Sequence, residues 1–399
     1  MVRIEVKEAI HDEQSSYNIK RFKLGEISIE RPMRTIDAGH ITKALLDENR
    51  TSMRQVLLET SKSVKSDMAR KALSTPNKSQ LKELFGWSQW HADFPNILTL
   101  TFKFNPHEVF TEKDTLAGYL AYYYSFSDTA TMVPNVDIDR SIYEDHRYVH
   151  SERIIGLDDY KRYVDEAYTI LDHKNNKPIF VPLSLKLDMN GVLDLARFYS
   201  ERRYLDVWVD FQGATSTDRT RLALLRGFTS QIEEMGFKDD LVIHCTNVRR
   251  EITSNMKDDV SPASDVLTSV VGANIVGINR EPQRPIEQGA GGPPPVPHGT
   301  LLEHKARLLD PATYYYVKLD KAGLTGVEKG RMMRKNDNLL RNALLIDGEL
   351  KTQADHFLDE LTIKPYISSK EMVLKYKEGF LLKGLFAPAS EQQSRGEWF

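Results

Sequence analysis

The sequence has very little cysteine and no long apolar run. Cys245 is the single cysteine among 399 residues, so the chain can form neither an internal disulfide nor a thiolate-rich zinc site. No apolar stretch approaches the roughly 20 residues that a membrane-spanning helix needs. The charged segment at residues 1–8 lacks the apolar core of a secretory signal peptide. We therefore expect a cytoplasmic protein that does not contact a membrane.

An excess of charge of one sign is also missing. The net charge of −3 argues against a protein coated in basic surface, although a one-sided basic stripe would be enough to bind nucleic acid. Hydrophobic residues make up 40% of the chain and charged residues 28%, which are ordinary values for a globular protein with a sizeable core.

Several motifs for cofactors and metals are absent. Neither a G-x-G-x-x-G loop nor a P-loop lysine motif follows any predicted strand. The sequence also has no H-x-H or H-E-x-x-H spacing, and the histidine at position 244 lies among apolar residues. We therefore predict no metal and no cofactor, and we interpret His244 as a core residue.

Short apolar runs alternate with helical patterns along most of the chain. This alternation predicts parallel βαβ units, and the six or seven strands approach the eight of a (β/α)₈ TIM-type barrel. An open doubly wound sheet is the alternative, which the missing glycine loops disfavour. The predicted strands are Met33–Ala38, Ile97–Phe104, Thr131–Ile138, Pro178–Leu187, Leu205–Phe211, Leu241–Thr246 and Asn274–Asn279.

The remaining segments predict other elements. Tyr17–Glu30 has the pattern of a β-hairpin, and His40–Leu84 that of a mostly helical segment. Ser261-Pro262 predicts the start of a helix that ends at Gly272. The predicted division is a barrel domain at 1–280, a Pro/Gly-rich loop at 281–299, a mostly helical C-terminal subdomain at 300–390 with a short strand near 314–319, and a tail at 391–399.

Polar residues follow the predicted strands, where barrel enzymes carry their chemistry. Asp137 and Asp139 lie two apart, so an extended strand turns them to one side, either for acid–base work or to cap the strand end. Asp210 ends another strand. Gln212 then offers a donor and an acceptor to a planar base, and Gly213 permits close backbone approach; an ordinary βα turn is the alternative.

Arginines are predicted on the same rim. Arg249 and Arg250 follow one strand, and Arg280 follows another. Guanidinium groups there suit contacts with phosphates, although surface ion pairs would explain them equally well.

The order of these segments resembles the tRNA-guanine transglycosylase superfamily, which includes archaeal tRNA enzymes and paralogues that act on DNA. The likeness covers roughly residues 17 to 280 and lies in the order and general character of the segments more than in sequence identity. It implies that Asp137 matches a family aspartate and that Gln212 and Gly213 stand where the family reads the base. The segments that carry it are Arg21-Phe-Lys-Leu-Gly-Glu-Ile-Ser-Ile, Met132-Val-Pro-Asn-Val-Asp-Ile, Asp206 to Ala214, Leu241-Val-Ile-His and Val271-Gly-Ala-Asn-Ile-Val-Gly-Ile.

The chain departs from this family at its catalytic signatures. The family's nucleophilic aspartate falls on Gly277 and the aspartate before it on Asn274, while the D-S-G-G-F-Q turn and the zinc motif have no counterpart. Base exchange through a covalent glycosyl-enzyme needs a carboxylate, which glycine cannot supply. Either Asp137 or Asp210 has taken over that role, or the chain no longer performs the reaction.

Three hypotheses remain open. The first is a transglycosylase acting on guanine or 7-deazaguanine in tRNA or DNA, with Asp137 and Asp210 as carboxylates, Gln212, Gly213 and Asp139 at the base, and the three arginines at phosphates. The second is a non-catalytic subunit that binds nucleic acid, as a homodimer or beside a catalytic partner. The third is an unrelated barrel hydrolase.

Overall fold

The structure is a computed structural model of a mixed α/β protein. It describes residues 2–49, 56–74, 93–137, 139–144, 147–152, 155–174, 176–253, 257–280, 300–301, 305–376 and 384–386, and no side chains at 139–152. Its strands are β1 (Val6–His11), β2 (Asn18–Leu24), β3 (Ile27–Ile29), β4 (Met33–Arg34), β5 (Ile36–Asp37), β6 (Leu58–Val64), β7 (Asn96–Phe102), β8 (Thr131–Met132), β9 (Asn135–Val136), β10 (Asp139–Glu144), β11 (Arg147–Glu152), β12 (Ile179–Leu183), β13 (Asp206–Asp210), β14 (Val242–Thr246), β15 (Val260–Pro262), β16 (Ile275–Val276), β17 (Arg307–Asp310) and β18 (Tyr315–Lys318).

Helices alternate with most of these strands. They are α1 (Lys43–Glu48), α2 (Ser66–Ser74), α3 (Pro106–Val109), α4 (Lys113–Tyr124), α5 (Leu157–Asp172), α6 (Met189–Arg202), α7 (Arg219–Glu234), α8 (Gly326–Met332), α9 (Lys335–Glu360), α10 (Lys364–Ser368) and α11 (Glu371–Lys375), with a 3₁₀ turn at Asp265–Leu267. Among the helices described, none combines the length and apolar character of a membrane span.

The central strands are parallel, as the βαβ rhythm predicts. Six pair in the order β4-β16-β14-β13-β12-β8 and four in the order β5-β6-β7-β9. The two edge strands of the first sheet lead directly into those of the second, because β4 and β5 are separated only by Thr35, and β8 and β9 only by residues 133–134. At the first junction the amide of Thr35 donates to Val276 in one sheet, and that of Ile36 donates to Leu57 beside the other.

The core lies between the parallel strands and the helices that cover them. Strands β7, β12, β13 and β14 are buried along their whole length, as expected of parallel strands covered on both faces. Helix α5 buries one apolar face, which includes Tyr160, Val164 and Leu171. The predicted N-terminal hairpin is confirmed as β2 and β3, and β1 adds a third antiparallel strand.

The prediction that His40–Leu84 is mostly helical is wrong at β6. Within the described part of that range, α1 and α2 flank the seven-residue strand β6. Glu59, Ser61 and Ser63 alternate along β6 and bind polar partners on other strands. The strand therefore lacks the apolar alternation that identifies a strand in sequence.

The helix predicted from Ser261-Pro262 is also wrong. These residues belong to β15, which pairs antiparallel with β18, and only the 3₁₀ turn follows. Partner strand β18 lies more than 50 residues later in the chain. A long-range pairing has thus overridden a local helix-start signal.

The C-terminal region has the expected strand near residue 314, an additional strand β17, and the long helix α9. Tyr314, Ile346 and Phe357 belong to the same hydrophobic cluster as the parallel strands. The predicted loop at 281–299 and the tail at 391–399 lie outside the described residues, so the proposed domain division stays a prediction.

Gly277, directly after β16, lies too close to β14 to carry a side chain. A Cβ atom there would lie 2.6 Å from the Thr246 Cβ and 2.7 Å from its Cα. Cβ atoms in proteins essentially never approach other atoms this closely, so the backbone would have to move to accept a side chain. The position onto which the resemblance maps a nucleophilic aspartate therefore has no room for one.

We predict that Gly277→Ala lowers the free energy of unfolding by about 1–3 kcal/mol, because the added methyl overpacks the contact with Thr246. Urea denaturation measures this loss. Gly348→Ala is the matched control, since its Cβ would meet nothing and helix α9 would gain about 0.5–1 kcal/mol. Equal stability of the two variants would contradict the close approach.

Asp206 begins β13, at the opposite end of that strand from Asp210. Its side chain is buried, and its Oδ2 accepts a hydrogen bond of 3.4 Å from the Ile4 amide. Burial raises the pKa of Asp206 to about 7, with only partial opposition from that hydrogen bond and from the charge of Arg3.

We predict that Asp206→Asn gains stability relative to wild type as the pH rises. The folded-state pKa of about 7 exceeds the ordinary 3.8, so the folded protein binds more protons between these values and wild-type stability falls through that window. Asparagine does not titrate. In urea denaturation, the stability of the Asp206→Asn variant relative to wild type should therefore be greater at about pH 8 than at about pH 5. The half-exposed Asp194, changed to Asn, should show no such trend.

Candidate functional site

Asp210 is a buried carboxylate held at the end of β13. Its side chain is 3% exposed. The Thr101 hydroxyl on β7 donates to its Oδ2 at 2.8 Å, and the Asn247 side-chain amide donates to its Oδ1 at 2.9 Å. The backbone amide of Gln212 donates to the same Oδ1 at 2.9 Å. A carboxylate has about four acceptor positions, so one position on Oδ2 has no donor among the residues that the structure describes.

The turns on both sides of this carboxylate have left-handed backbone. Gln212, Gly213 and Asn247 have φ values of 53°, 79° and 56°. The bond from the Gln212 amide to Asp210 is the Asx-turn expected where a strand ends in Asp. The Gly213 amide donates to the Asn247 carbonyl at 2.8 Å, so the two turns brace each other.

The side-chain amide of Gln212 is available for a ligand. Gln212 is half-buried, and its side chain makes no hydrogen bond with any residue that the structure describes. This amide offers both a donor and an acceptor, and the expectation that it contacts a planar base stays a prediction.

Asp137 lies between two lysines. Lys103, which follows β7, binds its Oδ2, and the Lys186 Nζ, which follows β12, lies 2.5 Å from its Oδ1. The aspartate is 1% exposed, whereas the lysine side chains are 22% and 21% exposed. Charged groups of both signs therefore meet at this corner of the site.

Arg280 reaches the end of β6. Its guanidinium lies 3.5 Å from the Ser63 hydroxyl, and its amide donates to the Val248 carbonyl. Two residues earlier on β6, the Ser61 hydroxyl accepts a bond of 2.9 Å from the Asn247 side chain, which also holds Asp210.

Strands β6 and β7 thereby connect the predicted residues. On β6, Ser61 accepts from Asn247, which also holds Asp210, and Ser63 lies next to Arg280. On β7, Thr101 donates to Asp210, and Lys103, directly after the strand, binds Asp137. Because β6 and β7 pair in parallel with Ser63 opposite Thr101, these contacts occur at the same ends of the strands. Asp137, Asp210, Gln212 and Arg280 therefore surround one site.

Below this site, Glu59 on β6 forms a fully buried polar cluster. Its Oε2 accepts from the Thr35 hydroxyl at 2.7 Å and from the Ile278 amide at 3.1 Å. Its Oε1 accepts from the Thr246 hydroxyl and lies 3.4 Å from the His244 Nε2. The histidine contact is an ion-pair distance and not a formed hydrogen bond, since neither ring nitrogen has a hydrogen-bond partner.

The electrostatics of this cluster favour a charged carboxylate. Burial raises the pKa of Glu59, but the charge and close approach of His244 and the hydrogen bonds from the Thr246 and Thr35 hydroxyls outweigh burial, so that the pKa is lowered. The prediction that His244 is a core residue is confirmed, since it is fully buried.

The other predicted residues are placed differently. Arg250 binds Glu251 at 3.0 Å and lies over the Tyr316 ring, so its guanidinium is engaged with the C-terminal sheet. Arg249 is half-buried next to the Gln212 turn, and its amide donates to the Ala214 carbonyl at 2.7 Å. Asp139 begins β10 of an antiparallel hairpin. Its side chain is not among those that the structure describes, so the expectation that it faces the same side as Asp137 stays a prediction.

Sequence reasoning missed most of the groups that hold these carboxylates. Glu59, Ser61 and Ser63 lie in a segment whose pattern predicts a helix, and nothing in the sequence indicates Lys103 as a site residue. Lys186 lies within the predicted strand Pro178–Leu187, whereas the strand ends three residues earlier, at Leu183. Residues 59–63 of β6 are all polar, so no alternation marks this segment as a strand.

The arrangement suits a polar ligand. Two carboxylates, two lysines, an arginine and several hydroxyls and amides converge at the strand ends. Within the described part of the chain, no group of three or more His, Cys, Asp or Glu side chains is arranged to hold a metal ion.

Comparison with known proteins assigns no family. Neither a protein-family model nor a curated protein matches this chain. The likeness to the transglycosylases therefore stays a hypothesis, and support for any function has to come from the geometry of the site.

We predict that Glu59→Gln lowers the free energy of unfolding at neutral pH by about 3–5 kcal/mol, because the amide leaves buried donors unpaired and removes the charge near His244. Ionised Glu59 has a lowered pKa, so its stabilisation is present above the ordinary 4.5 and is lost as the pH falls through the folded-state value. Denaturation across this range should show the penalty shrinking in acid. Glu166→Gln at an exposed position is the control. A loss of stability in Glu59→Gln that does not change with pH would contradict an ionised Glu59 carboxylate.

Proposed function

We propose that the two sets of parallel strands close into one (β/α)₈ barrel. The two β4–β5 and β8–β9 junctions support this, because each joins an edge of one sheet to an edge of the other. Contacts across the interior support it as well: Asp210 on one sheet accepts from Thr101 on the other, and Glu59 accepts from Thr246 in the same way. Eight strands result when each junction is counted as one strand, and the site then lies at the carboxyl ends, where barrel enzymes act.

The proposed activity is base exchange at the glycosidic bond of guanine or 7-deazaguanine in nucleic acid. The observation that carries it is Asp210, a buried carboxylate fixed by three donors with one acceptor position open. In this scheme Oδ2 of Asp210 bonds to C1′ of the ribose as the bond to the base breaks, and the electron pair leaves with the base, which takes up a proton. An incoming base then attacks C1′ through a ring nitrogen, breaks the bond to the carboxylate and loses its N–H proton to solvent, which balances the proton taken up by the departing base.

The surrounding groups have matching roles. The free side-chain amide of Gln212 binds the edge of the base, and the left-handed Gly213 lets it approach the backbone. Arg280 and Arg249 meet the phosphates of RNA or DNA. Asp137 is paired with two lysines in the free protein, so Asp210 is the better placed nucleophile.

A second candidate is a non-catalytic subunit that binds nucleic acid, alone as a homodimer or beside a catalytic partner. Gly277 favours it, because a side chain is sterically excluded where the resemblance places the family's nucleophile. This candidate keeps the cationic rim but forms no covalent intermediate.

We predict that Asp210→Asn reduces base exchange by about 10⁴-fold or more, because a carboxamide cannot act as the nucleophile. Labelled guanine is supplied with tRNA or DNA, and a covalent protein–nucleic acid adduct is sought on a denaturing gel. Wild type and the Asp194→Asn control should form the adduct and the Asp210 variant should not, while its nucleic-acid affinity is retained. Binding without exchange or adduct in the wild type would favour the second candidate.

A further inference from the structure

Arg249 and Arg280 follow β14 and β16, which are neighbours in the parallel sheet. Beyond the ends of these strands, Val248 and Asn279 form one further parallel bridge, and the Arg280 amide donates to the Val248 carbonyl at 3.1 Å. Each arginine comes directly after one of the bridged residues. The two side chains therefore start from adjacent backbones, at the spacing of about 4.8 Å that separates neighbouring strands.

Neither guanidinium group is paired with a carboxylate among the residues that the structure describes. The Arg280 side chain has a polar contact of 3.5 Å with the Ser63 hydroxyl, and within the same residues the Arg249 side chain has no hydrogen bond or ion pair. Both arginines are half-buried, and the Nε of Arg249 is buried without a hydrogen-bond acceptor in the described part of the chain. A buried donor without an acceptor is unfavourable, so an acceptor that a ligand brings would stabilise this group.

The Gln212 turn borders Arg249 on the side away from Arg280. The Arg249 amide donates to the Ala214 carbonyl at 2.7 Å, two residues after Gln212. The side chain of Gln212 also makes no hydrogen bond with a described residue. The adjacent strands β13, β14 and β16 are thus each followed by a side chain whose donors are available to a ligand.

We propose that Arg249 and Arg280 together bind one phosphate group, which lies across the ends of β14 and β16. Guanidinium groups carry N–H donors in a fixed fork that matches phosphate oxygens, and one phosphate has enough oxygens for two such groups. The buried Nε of Arg249 gains its acceptor in this arrangement. The arginines form one subsite and are not separate contacts along a nucleic-acid chain. Assigning the phosphate to a guanine nucleotide, with the base at Gln212, rests on the proposed function.

A shared phosphate predicts that both arginines affect a ligand with a single phosphate. Arg249→Met and Arg280→Met should each weaken binding of a guanosine monophosphate about tenfold or more and leave guanosine unchanged. The double variant should lose less than the product of the two single losses, because both substitutions act on the same contact group. Arg249→Lys keeps the charge but lacks the Nε donor, so it should restore only part of the affinity.

The test uses the full chain in calorimetric titrations with guanosine 5′-monophosphate, guanosine 3′-monophosphate, guanosine and inorganic phosphate. Arg197→Met is the matched control, because it removes the same charge from an exposed position on helix α6 and should bind like the wild type. Thermal denaturation without ligand verifies the folding of each variant. A lysine variant replaces any methionine variant that does not fold, and it should still bind the monophosphate more weakly than wild type.

The outcomes separate the subsite from the proposed function. If neither monophosphate binds more tightly than guanosine, or if only one of the two arginine positions affects the monophosphate, the shared subsite is overturned even when base exchange is observed. Inorganic phosphate that binds as tightly as the better monophosphate overturns the nucleotide assignment. The expected pattern in a protein without base exchange supports the subsite and rejects only the enzymatic proposal.

Discussion

The buried carboxylate of Glu59 is the interaction on which the interior depends. It accepts hydrogen bonds from Thr35 between β4 and β5, from Thr246 on β14 and from the amide of Ile278, which follows β16. A buried charge is tolerated only when its acceptor positions are filled, so these strands must keep their relative positions. The polar interior thus specifies one register among the strands, which a purely apolar interior would constrain less.

The candidate site depends on this buried cluster around Glu59. Thr246, bound to Glu59, lies opposite Asp210 in the strand pairing and directly precedes Asn247, which donates to Asp210. Strand β6 supplies both the lower carboxylate and the serines of the rim. Buried residues, among them Thr246, Asn247 and Thr101, therefore help to set the geometry of the Asp210 carboxylate.

A second buried network braces the opposite side of the rim. Asp265 accepts bonds of 2.8 Å from both Asn279 and Tyr316, so the segment before Arg280 is tied to the C-terminal sheet. Burial raises the pKa of Asp265, against the opposing charge of Arg34 and the two hydrogen bonds. The C-terminal strands thus contribute to the position of rim residues that lie far away in sequence.

The sequence by itself determined the parallel βαβ rhythm, the N-terminal hairpin and the strand-end positions of Asp137, Asp210 and Gln212, because apolar periodicity and turn residues act locally. Only the tertiary structure decided that β6 is a strand, that Ser261-Pro262 is not a helix start, and that Gly277 excludes a side chain. In each of these cases the deciding partner is distant in sequence or in another strand. The lysines at Asp137 became apparent for the same reason, since charge pairing between strand ends depends on which strands become neighbours and leaves no local pattern.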